Sequence, residues 1–195
     1  MLCPVLCVLL SFCQRQEAPG TGAAASNKAR PPAEQAYDAY RRPEQLLAAL
    51  HIKPGEQIAE VGAGGGYLTR RLAQAVGTGG QVVATDIDAQ ALQALRQRTQ
   101  DLPQVQARQV TAAAPGLEPG RYDLILLAQV DHLLPDRLAY LRLLPPALKP
   151  GGRIAFSNSV RYREPLLAAL ARAGFRPEEA DAQLPQQFLF FVRPK

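Results

Sequence analysis

The sequence predicts an α/β fold, a doubly wound sheet flanked by helices on both faces, and three stretches carry that prediction. Ile58 to Tyr67 reads IAEVGAGGGY: a short apolar run with an acid at Glu60, then a glycine-dense turn that opens a helical pattern. Glycines belong there because the backbone must take left-handed or crowded conformations and let a ligand reach the main chain. About twenty residues on, a second apolar run, Gln81 to Thr85, ends in Asp86, where a ribose-binding acid belongs in such a sheet. Tyr122 to Ala128 (YDLILLA) is continuous and apolar, as strands buried on both faces of a parallel sheet are.

A chain of 195 residues accommodates one such domain with its core and is too short for two with linkers. The formal net charge of +5 and the pI near 9.4 raise the question of a nucleic-acid partner. None is expected, because Arg41, Arg42, Arg70, Arg71, Arg96, Arg98, Arg137 and Arg142 are spaced onto solvated helix faces without forming a basic run. All three cysteines, Cys3, Cys7 and Cys13, lie in the first stretch, so the folded body is expected to hold neither a disulfide nor a thiolate metal site. The two histidines, His51 and His132, are far apart, and no transition-metal site is expected.

Residues 1–13 form an apolar leader, of a length suited to a signal-peptide hydrophobic region and too short for a spanning helix. Leu10, Ser11, Phe12 and Cys13 resemble a bacterial lipoprotein cleavage box, although Phe12 stands where that box has a small residue and no Lys or Arg precedes the run. The expectation is export or membrane attachment through Cys13; a cytoplasmic location is the alternative, with the run as a buried N-terminal strand. Residues 14–32 are rich in Ala, Gly, Pro, Ser and Thr and read as a flexible tether. The domain is expected over 33–195.

From Ala33 a helical pattern appears, with Tyr37 and Tyr40 three apart, Pro43 in a first-turn position, and Leu46, Leu47 and Leu50 on one face. His51 ends it, IKPGE turns, and the first strand follows. The helix after the glycine turn places Leu68, Leu72, Ala75 and Val76 on one stripe, with Arg70 and Arg71 outward, and stops at Gly77 to Gly80. Asp86, Ile87 and Asp88 lead into a helix carrying Leu92 and Leu95, at whose start Asp88 reads as a cap. Val105 to Val110 is a third strand, polar for a buried one, followed by alanine-rich Thr111 to Pro115. After the fourth strand come Gln129, Val130, Asp131 and His132, and a helix with Leu138, Leu141 and Leu144. The turn Leu148 to Gly152 precedes a strand at Arg153 to Phe156; a helix with Leu166, Leu167 and Leu170, a stop at Gly174 and a strand at Phe188 to Val192 close the chain.

The glycine spacing narrows the ligand. A dinucleotide fingerprint G-x-G-x-x-G starting at Gly62 needs a glycine where Tyr67 stands, so a nicotinamide dehydrogenase is disfavoured. The pattern that fits is acid-x-G-x-G-x-G over Glu60, Gly62, Gly64 and Gly66. With Asp86 and the LKPGG turn, three motifs in order across Ile58 to Phe156, the sequence resembles the class I S-adenosylmethionine-dependent methyltransferases.

That resemblance implies a Rossmann-like sheet of seven strands, mostly parallel, with an antiparallel final strand, Phe188 to Val192, inserted at the edge. It implies S-adenosyl-L-methionine as cofactor. Gly62, Ala63, Gly64, Gly66 and Tyr67 would line its methionine portion, Glu60 would organise its ammonium group, Asp86 would bind the ribose hydroxyls and Ile87 would lie against adenine. Thr111 to Pro115 departs from the family, many members of which place an acid and a small polar residue there for the adenine amino group. The end of the fourth strand would face the transferable methyl, so Gln129 would meet the cofactor or the acceptor. Asp131 and His132 are the candidate catalytic groups, with capping of the following helix as the plain alternative. The family's amino-methylating members on nucleic acids carry an Asn/Asp-Pro-Pro-Tyr/Phe box where this chain has AQVDHL, Ala128 to Leu133, which disfavours exocyclic base amines. A small-molecule acceptor is expected, with the nearest likeness to small methyltransferases including the quinone and menaquinone C-methylating group, and more loosely to isoaspartyl-protein methyltransferases. The alternative is a membrane-tethered cofactor-binding protein of the same fold without turnover.

Overall fold

The computed structural model describes residues 38–180, 182 and 184–193; the leader, the tether, Cys13 and Tyr37 lie outside the described residues. At the centre is a seven-stranded sheet. Strand β1 (Gln57–Val61) pairs in parallel with β2 (Gln81–Asp86) on one side and with β4 (Tyr122–Ala128) on the other. Outside them lie β3 (Val105–Gln109) against β2 and β5 (Leu148–Ser159) against β4, both parallel. The short β6 (Glu178–Glu179) forms the far edge, and β7 (Gln187–Val192) runs antiparallel between β5 and β6. The expected inserted final strand is therefore present.

The helices are α1 (Pro43–Leu50), α2 (Thr69–Val76), α3 (Ala89–Arg98), α4 (Arg137–Arg142) and α5 (Arg163–Arg172). They cover both faces because β4 is apolar on both: Leu124 and Leu126 pack with Leu46, Leu50, Leu72 and Val76, whereas Ile125 and Leu127 pack with Leu141, Leu166 and Leu170. Alternate side chains of a strand point to opposite faces, so an unbroken apolar run needs two layers of helix. The chain crosses from β1 outward to β2 and β3, then returns to the other side of β1 with β4, and this reversal opens a crevice at the carboxyl ends of β1 and β4.

Several sequence expectations are corrected in detail. In α2 the buried stripe is Thr69, Leu72, Ala73 and Val76, the i, i+3, i+4, i+7 set, so Ala73 takes the place expected of Ala75. Arg71 is not turned outward; its guanidinium lies over the Tyr67 ring, 4.6 Å from the centroid. In α4 the expected Leu141 is buried, and Tyr140 is buried in place of Leu138. The LKPGG turn belongs to β5, which starts at Leu148 and shifts register against β4 between Tyr122 and Leu124. Strand β3 tolerates its polar sequence because, among the described residues, it is an edge strand paired only with β2.

The amino end of the sheet is tied by one arginine. Arg153 donates through both terminal nitrogens to Glu56, at 3.0 and 3.2 Å, and to the Leu50 carbonyl at the end of α1 at 2.9 Å. The two side chains are only 15% and 12% exposed. Removing one member leaves the other largely buried and unpaired. Arg153→Ala is expected to destabilise the domain by about 3 kcal/mol in denaturant titration, and Arg153→Met with Glu56→Leu to recover most of that loss.

Candidate active site

The glycine turn is built against the carboxyl end of β2. Gly62 and Ala63 donate their amides to the Thr85 carbonyl at 2.8 and 3.0 Å, and the Gly64 amide donates to Asp86 Oδ2 at 2.7 Å. Gly62, Gly64 and Gly66 all have positive φ, at 72°, 53° and 80°. Two of them are also crowded: a Cβ on Gly62 would lie 2.4 Å from Val130 Cγ2, and one on Gly66 2.9 Å from Leu95 Cγ. Gly64 differs, since a Cβ there would meet nothing within 4 Å. Its backbone faces open space, which is what a turn that receives a ligand along the main chain requires.

Asp86 binds the turn with one oxygen and the start of the next helix with the other: Oδ1 accepts the Asp88 amide at 3.0 Å, and Asp88 caps α3 by accepting from Gln90 and Ala91. An ionised carboxylate has about four acceptor positions, so two remain for the paired hydroxyls of a ribose. Ile87, directly after, is 57% exposed, a large apolar side chain presented at the carboxyl edge.

Glu60 sits in β1, only 3% exposed, with Thr69 Oγ1 donating to its Oε2 at 2.6 Å. Burial, opposed by the Thr69 hydrogen bond and reinforced by the charge of Asp86, pushes its carboxyl up to about 7. A buried acid with no cationic partner among the described residues is suited to receiving a ligand's ammonium group.

At the end of β4, Gln129 adopts a left-handed conformation, φ 61°, with its amide donating to the Ser157 carbonyl at 2.8 Å. Such a conformation in a residue with a side chain is strained and persists where surrounding structure holds it. The Gln129 side chain donates to Gln187 Oε1 at 3.2 Å. Asp131 is fully buried; Asn158 Nδ2 donates to its Oδ1 at 2.6 Å, and Arg137 NH2 stands 3.7 Å from Oδ2. Burial raises the Asp131 carboxyl above the ordinary aspartate value. His132 stacks on Tyr162, centroids 4.0 Å apart and planes at 14°, and burial lowers its imidazole below the ordinary histidine value. The cap of α4 is Asp136, which accepts from the Ala139 amide, so neither Asp131 nor His132 caps that helix through its side chain. Among the described residues, the buried side-chain polar atoms without a hydrogen-bond partner are Asp131 Oδ2 and Ser157 Oγ, both from the carboxyl ends of the central strands.

Tyr67 is engaged by the segment before α1. Its hydroxyl donates to Asp38 Oδ1, Arg71 NH2 pairs with the same oxygen at 3.1 Å, and burial raises the Tyr67 hydroxyl well above the ordinary tyrosine range. A helical turn at 38–41 is thereby latched to the glycine turn, and Gln187 Nε2 donates to the Tyr40 carbonyl at 2.6 Å. Glu60, Gly62, Ala63, Gly64, Gly66, Tyr67, Asp86 and Ile87 thus gather at the carboxyl ends of β1 and β2, with Gln129, Asp131 and His132 at the end of β4. Sequence reasoning missed Asp38, Thr69, Asn158 and Gln187. No motif marks them; Thr69 alone had a signal, as a buried-stripe hydroxyl nine positions after the acid it serves. The other end of the sheet holds an open cleft of about 670 Å³ beside Lys53, Asp123, Lys149 and Arg193. It contains no glycine turn leading into a helix, and its Lys149 is paired with Asp123 at 2.7 Å.

The fold and the turn define a doubly wound domain with a glycine turn at its switch point. The methyltransferase domain family matches residues 59–154. A ubiquinone biosynthesis O-methyltransferase of Albidiferax ferrireducens is 28% identical over 138 residues, covering 68% of this chain and 54% of that protein. A demethylmenaquinone methyltransferase of Staphylococcus saprophyticus is 28% identical over 133 residues, covering 68% and 57%. The chain spans about half the length of the curated relatives it matches. A solved S-adenosylmethionine-dependent methyltransferase from Aquifex aeolicus has the same fold, with a TM-score of 0.73 over 80% of this chain and 92% of that one at 21% identity. The match places residues 59–154 in the methyltransferase domain family, and the fold around them is that of the S-adenosylmethionine-dependent methyltransferases.

Glu60 makes folding stability depend on pH in a defined direction. Its folded value, about 7, lies above the ordinary 4.5, so the native state keeps a proton that the unfolded chain has lost between those limits. The contribution is therefore full below about pH 4.5 and is lost as pH rises toward 7, a fall of up to roughly 3 kcal/mol. Urea titrations of the ligand-free protein are expected to show this fall, and Glu60→Gln to remove it while leaving the variant the more stable of the two at pH 8.

Proposed function

We propose that the protein is an S-adenosylmethionine-dependent methyltransferase whose acceptor is a small, partly apolar molecule. The observation that carries this reading is the Gly64 amide held on Asp86, beside a buried Glu60 that has no cationic partner among the described residues. Asp86 would hold both ribose hydroxyls, Glu60 would take the ammonium group in its ionised form, and the open backbone at Gly64 would lie along the methionine chain. Ile87 would cover one face of adenine. Bound there, the cofactor supplies an activated methyl on a sulfonium, so the protein's part is to align the acceptor in line and to exclude water.

Apolar groups at the carboxyl edge support an apolar acceptor. Leu133, at the end of β4, and Val160, following β5, are 68% and 51% exposed, and Tyr40 is 39% exposed on the segment tied to Gln187. The curated relatives named above are quinone-pathway methyltransferases by name, which agrees with a flat, apolar acceptor.

Calorimetric titration of the full chain with S-adenosylmethionine and with S-adenosylhomocysteine is expected to give micromolar binding. Asp86→Ala is expected to weaken it by roughly 1.5 to 3 kcal/mol, the scale of hydrogen bonds to a charged group. Unchanged affinity in that variant would remove Asp86 from the site, and no binding by a folded wild type would leave the family's fold without its cofactor.

A further inference from the structure

We propose that Asn158 is a positioning residue that fixes His132 as the Nε2–H imidazole, so that His132 meets the acceptor as a hydrogen-bond donor to an oxygen and not as the base that takes its proton. The acceptor side of this inference rests on the methyltransferase reading above; the tautomer does not.

Asn158 lies fully buried in β5 beside the end of β4, and every polar atom of its side chain is engaged. Its Oδ1 accepts the Ser159 amide at 2.8 Å. That bond orients the amide, so Nδ2 faces Asp131 Oδ1 at 2.6 Å and His132 Nδ1 at 2.9 Å. An amide nitrogen carries two protons and offers no lone pair, so both neighbours must accept. The flipped amide would set Oδ1 against the Asp131 carboxylate and an N–H against the Ser159 N–H, two repulsive contacts for two attractive ones. His132 Nδ1 is thus an acceptor, and a neutral ring then carries its proton on Nε2. Nε2 has no hydrogen-bond partner among the described residues.

The surroundings hold the ring in that state. Tyr162 fixes its plane by stacking, and the short turn at Val160–Tyr162 brings Arg161, whose charge disfavours imidazolium. Arg137 acts in the same sense from α4, against the single favourable charge of Asp131. Arg137 Nε also donates to the Asp131 carbonyl at 2.9 Å, which keeps the backbone of this pair in place.

An Nε2–H cannot receive a proton. It can donate to an oxygen that is already a strong acceptor, which selects acceptors that arrive already ionised as a phenolate or enolate. The acceptor's electron pair then forms the bond to the methyl carbon as the carbon–sulfur bond breaks and its pair stays on sulfur. No proton moves to His132 in that step.

The test is made on the full chain with histidine labelled in ¹⁵N, read by two-bond proton–nitrogen correlation. With only His51 and His132 in the sequence, a His51→Asn variant assigns both rings. The expected wild-type spectrum has His132 Nε2 protonated and Nδ1 unprotonated across about pH 6 to 8. Asn158→Asp, which sets a carboxylate oxygen against Nδ1, is expected to move the proton to Nδ1 and raise the ring's titration midpoint by at least one pH unit, about a tenfold change in proton affinity. Asn158→Ala is expected to give a mixture of tautomers. A wild-type ring protonated on Nδ1, or charged at pH 7, would overturn the proposal, as would signals indifferent to both substitutions. If neither variant folds, the wild-type spectrum alone decides. None of these readouts needs cofactor, so failure here and failure of the calorimetric titration are separate results.

Discussion

The side chain of Asp86 is the contact on which the glycine turn and the entry to the next helix both depend. One of its oxygens takes the Gly64 amide and the other the Asp88 amide, so a single side chain sets the glycine turn after β1 and the entry to α3. Without it, the Gly64 amide would need another acceptor, and a positive-φ turn with open space on one side has few. The parallel register of β1 and β2, which sets Val61 beside Thr85, brings the acid and the turn within reach of each other. Crowding at Gly62 by Val130 then links the turn to the end of β4, so the two halves of the site are built on one another.

Two buried acids give this end of the sheet its chemical character. Glu60 and Asp131 are both removed from water, one with a hydroxyl for company and the other with an amide and a distant guanidinium. Each would be more stably replaced by an apolar group, and a fold retains such groups where a ligand or a hydrogen-bond network uses them. The left-handed Gln129 adds backbone strain at the same edge. The amino end is closed by the Arg153–Glu56 pair, while the buried side-chain polar atoms without a partner, among the described residues, lie toward the carboxyl end.

The fold was legible because its signals are local. Continuous apolar strands, positive-φ glycines and the acid at the end of β2 each declare themselves within a few residues, and Asp88 was recognisable as a cap for the same reason. Errors in α2 and α4 came from helix phase, which a short apolar set leaves open until the opposing sheet selects a face. The site was legible only where it follows the main chain. Asn158 reaches His132 across 26 positions, Gln187 joins residues 58 and 147 positions away, and Asp38 reaches Tyr67 across 29. Those pairings arise from strand order and from the antiparallel insertion of β7, so no spacing in the sequence could announce them. Arg71 differs: it lies over Tyr67 at i, i+4 and donates to the Tyr67 carbonyl at 2.9 Å, a local spacing, and only its pairing with Asp38 is long-range.

A crystal structure of the full chain with S-adenosylhomocysteine tests the central claim most directly. The account requires both ribose hydroxyls within hydrogen-bond distance of Asp86, the ammonium group beside Glu60, and the ligand's chain along the open backbone of Gly64. A nucleoside bound with its ribose away from Asp86, or lodged in the cleft at the amino end of the sheet, would contradict it.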